Sequence, residues 1–389
     1  MLRFLTAGES HGPELAVVIE GLPAGLPIDV EAIDNDLRRR QGGYGRGARS
    51  TKIERDHAEA VSGLADGRST GAPLAMRIVN RDFANQPERP APLTAPRPGH
   101  ADLVGRIKYG LEDFRHVRER ASARETAARV AAGAVAKQLV EPFDVSIGSF
   151  VVEVGGVRAE IPGLDELDED ALERLAGSAE EDQMRTPDPG ASERMRSAVD
   201  EARQNGETLG GLFCVFATGV PAGLGSYAHW DRKLDGRLAQ ALCSIPAVKA
   251  AEIGPALDVA RRPGTEAQDP IEWRNGEIGR ASNRAGGLEA GVTNGQPIVL
   301  RAAMKPLSSV RAEIGSVDFE TGEVTNPPHV RSDVTAVPAA AVVGEAMVAW
   351  VLADAICERF GQDRLDGMLA ASRAVDGTGR PGRGPASGT

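Results

Sequence analysis

Gly21-Leu-Pro-Ala-Gly-Leu-Pro27 and Gly219-Val-Pro-Ala-Gly-Leu-Gly225 are near copies of one turn, set far apart in the chain. Each follows an apolar run, Leu15 to Ile19 and Leu212 to Phe216, and each leads into a segment with helical spacing. Val30, Ile33 and Leu37 share one face of the first helix; Leu234, Leu238 and Leu242 share one face of the second. A second echo keeps the order: Thr70-Gly-Ala-Pro-Leu-Ala-Met-Arg77 and Asn294-Gly-Gln-Pro-Ile-Val-Leu-Arg301 both read as turn then strand. Two echoes in one order predict a single body with two related halves, to be sought before any local reading.

The whole composition suits such a body. Of 389 residues, 41% are hydrophobic and 26% charged, the proportions of a soluble globular chain. Aromatics are only 4%, so the core is built from Ala, Val, Leu and Ile. A net charge of -11, from 45 Lys+Arg against 56 Asp+Glu, argues against a general nucleic-acid or anionic-membrane binder. Cys214, Cys243 and Cys357 show no CxxC spacing, so neither a disulfide framework nor a zinc cluster is expected. Glu9 and His11 stand where a signal peptide needs an apolar run, and a cytoplasmic protein is expected. The most apolar stretch, Val334 to Ile356, contains Pro338, Glu345 and Asp354, which argues against a membrane span. Its part from Ala339 to Ile356 reads as a helix buried in the core or at a subunit contact. Between the halves, Glu160 to Glu207 reads as solvated acidic helices around the break Thr186-Pro-Asp-Pro-Gly190. Pro87 to Pro98 is a long ordered loop or a mobile flap. Residues 1–375 are expected to form one domain and 376–389 a disordered tail.

Ser122-Ala-Arg-Glu125 fits a capping box that starts a helix over Ala127 to Val140, whose free N–H groups and dipole would attract an anion. Gly8-Glu-Ser-His-Gly12 satisfies the G-x-S-x-G pattern of a hydrolase nucleophile, but only seven residues precede it, too few for the strands that such an elbow needs. Arginines are dense in two places. Arg38, Arg39, Arg40, Arg46 and Arg49 flank Gly42-Gly-Tyr-Gly45, and Arg97, Arg106, Arg115, Arg118, Arg120 and Arg124 crowd a second segment. In so acidic a chain these forks point to a small polyanion, with about half of them serving as ordinary salt-bridge partners. No Walker loop, strand-borne G-x-G-x-x-G or HExxH occurs. His11 and His100 stand in glycine-bearing turns, the second directly after Arg97-Pro-Gly99. A histidine beside arginines is disfavoured as imidazolium until an anion binds, so such a pair suits proton donation to a phosphate.

These motifs together identify a resemblance. Gly8-Glu-Ser-His-Gly12, Arg38 to Arg46, Arg97-Pro-Gly-His-Ala-Asp102, Arg120 to Thr126, Gly291 to Gly295, Met304-Lys-Pro306 and Arg331-Ser-Asp333 resemble, in order, the chorismate synthase family up to about Val375. The resemblance implies an α+β fold, a β-α-β sandwich of antiparallel sheets enclosing helices. It implies a lyase that eliminates phosphate from 5-enolpyruvylshikimate 3-phosphate in an anti-1,4 sense, giving chorismate, with reduced FMN required and no net redox change. By the same carry-over His11 protonates the departing phosphate, His100 stabilises or protonates the reduced flavin, and Asp333 acts at the flavin N5 edge in removing the ring hydrogen. FMN would be held by Arg120, Ala121, Ser122, Pro246, Ala247, Ala290, Lys305, Pro306, Leu307, Ser308, Ser309 and Arg331. Arg40 and Arg46, with Arg49 and Arg124, would hold the substrate phosphate or NADPH. The family pattern often has proline after the aspartate, where this chain has Val334. A homotetramer and an external flavin reductant complete the expectation. A serine hydrolase using Ser10 and a non-catalytic polyanion binder are the competing readings.

Overall fold

The computed structural model describes residues 1–47, 55–85, 91–274, 277–327 and 333–375. The first half runs β1 (Arg3–Ala7), β2 (Glu14–Glu20), α1 (Val30–Gln41) and β3 (Ala58–Ser62), then a small hairpin of β4 (Leu64–Ala65) and β5 (Arg68–Ser69). It continues with β6 (Leu74–Val79), α2 (Asp102–Tyr109), α3 (Phe114–Arg120) and α4 (Thr126–Val140). The second half begins with β7 (Ser146–Val154), β8 (Val157–Arg158), α5 (Glu169–Glu180), α6 (Pro189–Gln204), β9 (Gly211–Thr218), α7 (Leu234–Cys243) and β10 (Val248–Ile253). After the one-turn helices α8 (Ala256–Val259) and α9 (Gly264–Ala267) come two hairpins, β11 (Ile271–Arg274) with β12 (Glu277–Arg280) and β13 (Leu288–Glu289) with β14 (Val292–Thr293). Then follow β15 (Ile298–Met304), β16 (Ser316–Val317), β17 (Val324–Thr325), α10 (Val337–Phe360) and α11 (Leu365–Ala374).

The echoes in the sequence are structural equivalents. One antiparallel sheet is ordered β1-β2-β6-β3, and the other contains β7-β9-β15-β10 with β8 added outside β7. Even the register agrees: Ile19 faces Leu74 in the first sheet, and Ala217, its counterpart, faces Ile298 in the second. In the repeated turn, the Gly25 N–H donates to the Ser69 carbonyl and the Gly223 N–H to the Thr293 carbonyl, both at 2.8 Å. The hydroxyls of Ser69 and Thr293 accept from the N–H groups of Leu26 and Leu224. Gly25 and Gly223 hold φ of 87° and 91°, left-handed values that explain the glycine in both copies.

Each sheet is lined by helices on its inner face, and the two helical layers meet between the sheets, which gives the sandwich its thickness. β2 buries Leu15, Val17 and Ile19 in alternation, and α1 buries Ile33 and Leu37. Asp29 caps α1 by accepting from the Glu31 N–H at 2.8 Å. Its last turn carries Arg38, Arg39 and Arg40, which oppose the negative end of the dipole. The layers touch along α4 and α10. A Cβ on Gly133 would lie 2.2 Å from that of Ala346, and one on Gly344 would lie 2.7 Å from a methyl of Val215 in β9. α10 has the length and composition of a membrane-crossing helix, but 94% of its apolar window is buried within the protein. Of the two places open to it in the sequence, it takes the core.

The acidic segment is only partly solvated. α5 lays Leu172 and Ala179 on the outer face of the second sheet, where Phe150, Cys214 and Phe216 form a second core with them. Among the described residues the first sheet has no such cover: Leu5 and Val18, opposite one another in register, are 72% and 41% exposed. The capping box also differs from expectation. Ser122 accepts from the Arg124 N–H at 3.3 Å and caps a short 3-10 turn, Ala123–Glu125, ahead of α4. The Glu125 carboxylate goes to the Thr6 hydroxyl and to Arg129 instead, because an arginine is a stronger partner than the Ser122 backbone. The tail 376–389 and part of the Pro87 to Pro98 stretch lie outside the described residues. In the described part, residues 91–98, Thr94 donates to Asp318 at 2.6 Å.

Gly133→Ala and Gly344→Ala should each lower stability by about 1–3 kcal/mol through overpacking. Gly177→Ala, on open α5 surface with nothing near its new Cβ, should be neutral or gain up to about 1 kcal/mol. Denaturant unfolding of the three variants reads the difference, and equal effects would contradict the close helix contact.

Candidate active site

Strand directions sort the loops into two ends. One end carries the β1–β2, α1–β3, β6–α4, β7–β9, α7–β10 and β15–α10 connections, and α4 and α10 both begin there. Thr126 at the start of α4 accepts from Arg40 Nε at 2.8 Å, and Pro338 at the start of α10 backs Gly43. Two helix dipoles therefore present their positive ends to one edge, which favours anions there.

His11 lies in the β1–β2 turn. Its Nδ1 is 2.8 and 2.9 Å from the two Glu119 carboxylate oxygens, and its backbone N–H donates to the same carboxylate at 2.7 Å. Burial pushes the Glu119 carboxyl up, but the hydrogen bonds and charge of His11, with Arg115, outweigh it and hold it below its ordinary value. His100 makes a second pair, Nδ1 to Asp102 Oδ1 at 2.5 Å. Asp102 is fully buried and also accepts from Arg118 at 2.9 Å and from the Arg97 backbone at 3.0 Å. Burial again pushes this carboxyl up, and His100 and Arg97 bring it far below the usual range. Arg118 and Glu119 are consecutive on α3, so one short helix serves both histidines. Burial first, then the like charge of Arg118, push the Arg97 guanidinium down. Two arginines around one carboxylate leave an excess of positive charge.

From Arg97 the network crosses into the second half. Arg97 donates to the Ser309 hydroxyl at 2.8 Å, and Lys305 donates to the Gly99 carbonyl at 3.1 Å. Ser309 lines a cavity of about 240 Å³ together with Arg46, Arg311 and Asp333. Asp333 accepts from Arg46 at 2.5 Å and from the Gly47 N–H at 2.6 Å. Near the start of α4, Ser122 donates to Ser10 at 3.2 Å, and Arg120 reaches the Thr6 carbonyl and hydroxyl at 2.9 Å. Arg124 pairs with the buried Asp56 at 2.6 Å, and Arg40, also buried, donates to the Ala123 carbonyl. Ala121 lies between Arg120 and Ser122, and the Lys305 N–H donates to the carbonyl of Ala247, which holds a left-handed φ of 69°. Pro246, Pro306, Leu307 and Ser308 belong to the same two connections.

Ala290 does not join them. It forms the β13–β14 turn at the opposite end of β15, roughly 20 Å of strand away. Its left-handed φ of 54° suits glycine, as does the matching Asp66 turn of the first half. Arg49 and Arg331 lie outside the described residues, as does His329. Ser10 sits between two strands, so the strand–turn–helix of a nucleophile elbow is absent and the hydrolase reading loses its geometry. Of the remaining histidines, His57 and His229 pair with Asp34 and Asp231 at the surface. Arg106 lies over the rings of Phe114 and Phe319, each 4.9 Å away, and is packing rather than site. Sequence reasoning missed Glu119, which is 108 residues from His11, and passed over Asp102 although it stands two residues after His100.

Asp102→Asn leaves Arg97 and Arg118 short of a buried counter-charge and should cost about 3 kcal/mol. The folded pKa is lowered, so this stabilisation is complete above the unfolded value near 3.9 and fades as pH falls below it. Denaturant titrations should show a constant gap to wild type from pH 5 to 8, closing only below about pH 4; a gap that closes near neutrality would contradict the pairing.

The sequence model of the chorismate synthase family matches residues 2–357. The chain is 51% identical over 377 residues to chorismate synthase of Rubrobacter xylanophilus, covering 95% of each, and 52% identical over 375 residues to that of Moorella thermoacetica, covering 94% of this chain and 96% of the other. A crystal structure of chorismate synthase superposes with a TM-score of 0.79 at 42% identity, covering 96% of both chains. With the family model matched across most of its length and relatives about half identical over nearly the whole chain, this α+β sandwich has its place: the chain belongs to the chorismate synthase family of lyases.

Proposed function

We propose that this chain converts 5-enolpyruvylshikimate 3-phosphate to chorismate and inorganic phosphate. The ring C–O bond breaks with its electron pair leaving on the phosphate, and a ring C–H bond breaks with its pair staying as a new double bond. The observation that carries this reading is the pair of histidines at one cationic edge, His11 held by Glu119 of α3 and His100 by Asp102, which Arg118 of α3 grips in turn. A leaving phosphate needs a proton and positive surroundings. His11, oriented by Glu119, gives the proton, and the ends of α4 and α10 with the arginines give the field. His100, gripped by Asp102 and beside Arg97, stands next to the Lys305–Ser309 segment, placed to stabilise or protonate the reduced flavin. Asp333, beside Arg46 in the wall of the cavity, is the group for the ring hydrogen.

These residues fit a reduced flavin. The Lys305 ammonium, the Ser309 hydroxyl and the Arg97 fork line one edge, with more cationic than anionic groups, and the reversed backbone at Ala247 brings its carbonyl to Lys305. FMN would be held by the Lys305–Ser309 and Arg120–Ser122 segments and by Pro246 and Ala247. When bound it supplies the electron density that lets phosphate leave an unactivated ring, and recovers it with no net redox change. A flavin contact from Ala290 would have to come from the hairpin of a second copy, and the exposed Leu5 and Val18 of the first sheet offer an apolar face for assembly into a homotetramer. The three free thiols fit a cytoplasmic enzyme. Arg40, Arg46, Arg49 and Arg124 form the anion set for the substrate phosphate or NADPH, and an outside reductant is expected to supply the reduced flavin.

Anaerobic mixing with substrate and dithionite-reduced FMN should release chorismate and phosphate in equal amounts, with none when FMN is oxidised or omitted. Fully folded protein that forms neither would overturn the reading. His11→Ala and His100→Ala should each slow turnover at least about a hundredfold with unfolding midpoints preserved; near-normal rates would remove that residue from the reaction. NADPH with oxidised FMN alone should give no turnover, and product formed under those conditions would mean that the chain reduces its own flavin.

A further inference from the structure

From Val337 to Ala353, α10 is apolar except for one carboxylate, Glu345. Glu345 is completely buried, yet it accepts from Arg39 Nη1 and Nη2 at 2.8 Å each, from Lys137 at 2.7 Å and from the Ser149 hydroxyl at 2.5 Å, with Arg185 at 3.4 Å. Arg39 uses all five of its N–H donors, giving the others to Asp36 and Glu180. Three carboxylates thus balance three cations where α1, α4, α5, β7 and α10 meet. Burial alone would push the Glu345 carboxyl up, but Lys137 and Arg39 bring it well below its usual range, so the network is ionic. For stability alone an apolar side chain in this apolar helix would serve as well, since buried ion pairs are weak stabilisers; what the fork adds is a fixed geometry.

That geometry points at the site. Three residues beyond Arg39, α1 ends at Gly42, and the chain goes on to Arg46. About 12 Å before Glu345, α10 begins at Val337, just after Asp333. The two extensions are tied together: the Val334 N–H donates to the Gly45 carbonyl at 2.8 Å, and Arg46 pairs with Asp333. The far half of α10 has its own ionic tie, Asp354 with Arg237 at 2.6 Å and with the Leu2 N–H at 2.6 Å, at the end remote from the site.

We propose that Glu345 is a positioning residue which, through Arg39, fixes α1 against α10 and thereby sets Arg46 and Asp333 for the phosphorylated substrate. This rests on the function proposed above. In the full chain with reduced FMN, Glu345→Gln should lower kcat/KM for 5-enolpyruvylshikimate 3-phosphate about tenfold or more, while the Kd for FMN stays within about twofold of wild type. Asp354→Asn should lower the melting temperature as well but leave both quantities unchanged. Arg39→Lys, which keeps the charge and loses the fork, should behave like Glu345→Gln and carries the test if that variant does not fold. Wild-type kcat/KM in the variants of the α1–α10 fork, or an equal loss in Asp354→Asn, would overturn the proposal and leave the function standing. Wild-type protein that makes no chorismate would overturn the function and this inference with it.

Discussion

Gly133 on α4 and Ala346 on α10 touch where any larger pair of side chains would hold the helices apart. The whole arrangement depends on that contact. Each half alone is an antiparallel sheet with helices on one face, and it buries its apolar helices only by meeting the other half. Because α4 and α10 occupy equivalent places in the two repeats, bringing them together also brings their amino-terminal ends to the same edge. The connections that precede them, residues 80–125 and 305–336, differ between the halves: the first carries α2 and α3, the second the β16–β17 hairpin. The conserved strand register holds the frame, and the divergent loops carry the chemistry.

The electrostatics follow from this placement. Two positive helix ends and several buried arginines would repel each other without acids between them, and Asp56, Asp102, Glu119 and Asp333 provide these. Each acid also orients a working group. Glu119 and Asp102 fix the rings of His11 and His100, and Asp333 fixes Arg46. Arg40, Arg97, Arg118 and Arg124 are all buried at this edge, a concentration of cations suited to an anionic ligand. In a chain with net charge -11 this concentration of cations steers an anionic ligand to one place.

Much of the frame was legible in the sequence because turns and apolar periodicity are local. The twin Gly-x-Pro-Ala-Gly turns, the α1 and α7 faces and the burial of α10 could be read from residues close to one another. Contacts between distant residues could not. Nothing near His11 announces Glu119, and nothing in Ser122 to Glu125 shows that the glutamate turns to Thr6 and Arg129. Asp102 was in plain view two residues from His100, and its role went unread because the serving helix, α3, carries the partner arginine. The acidic insertion read as solvated because its charges dominate, while its apolar stripe of Leu172 and Ala179 covers the second sheet. Arg39 and Arg40 look alike in sequence, but successive helical side chains point in different directions, one into the Glu345 network and one to the start of α4.

If loops from both halves form one site at the edge where α4 and α10 begin, a crystal structure with FMN and a non-reacting phosphorylated substrate analogue should place the phosphate within hydrogen-bond reach of His11 and the arginines, and the flavin along Lys305–Ser309 beside His100. Ligands bound instead at the opposite end of the strands, by the β4–β5 and β13–β14 hairpins of the same chain, would contradict it.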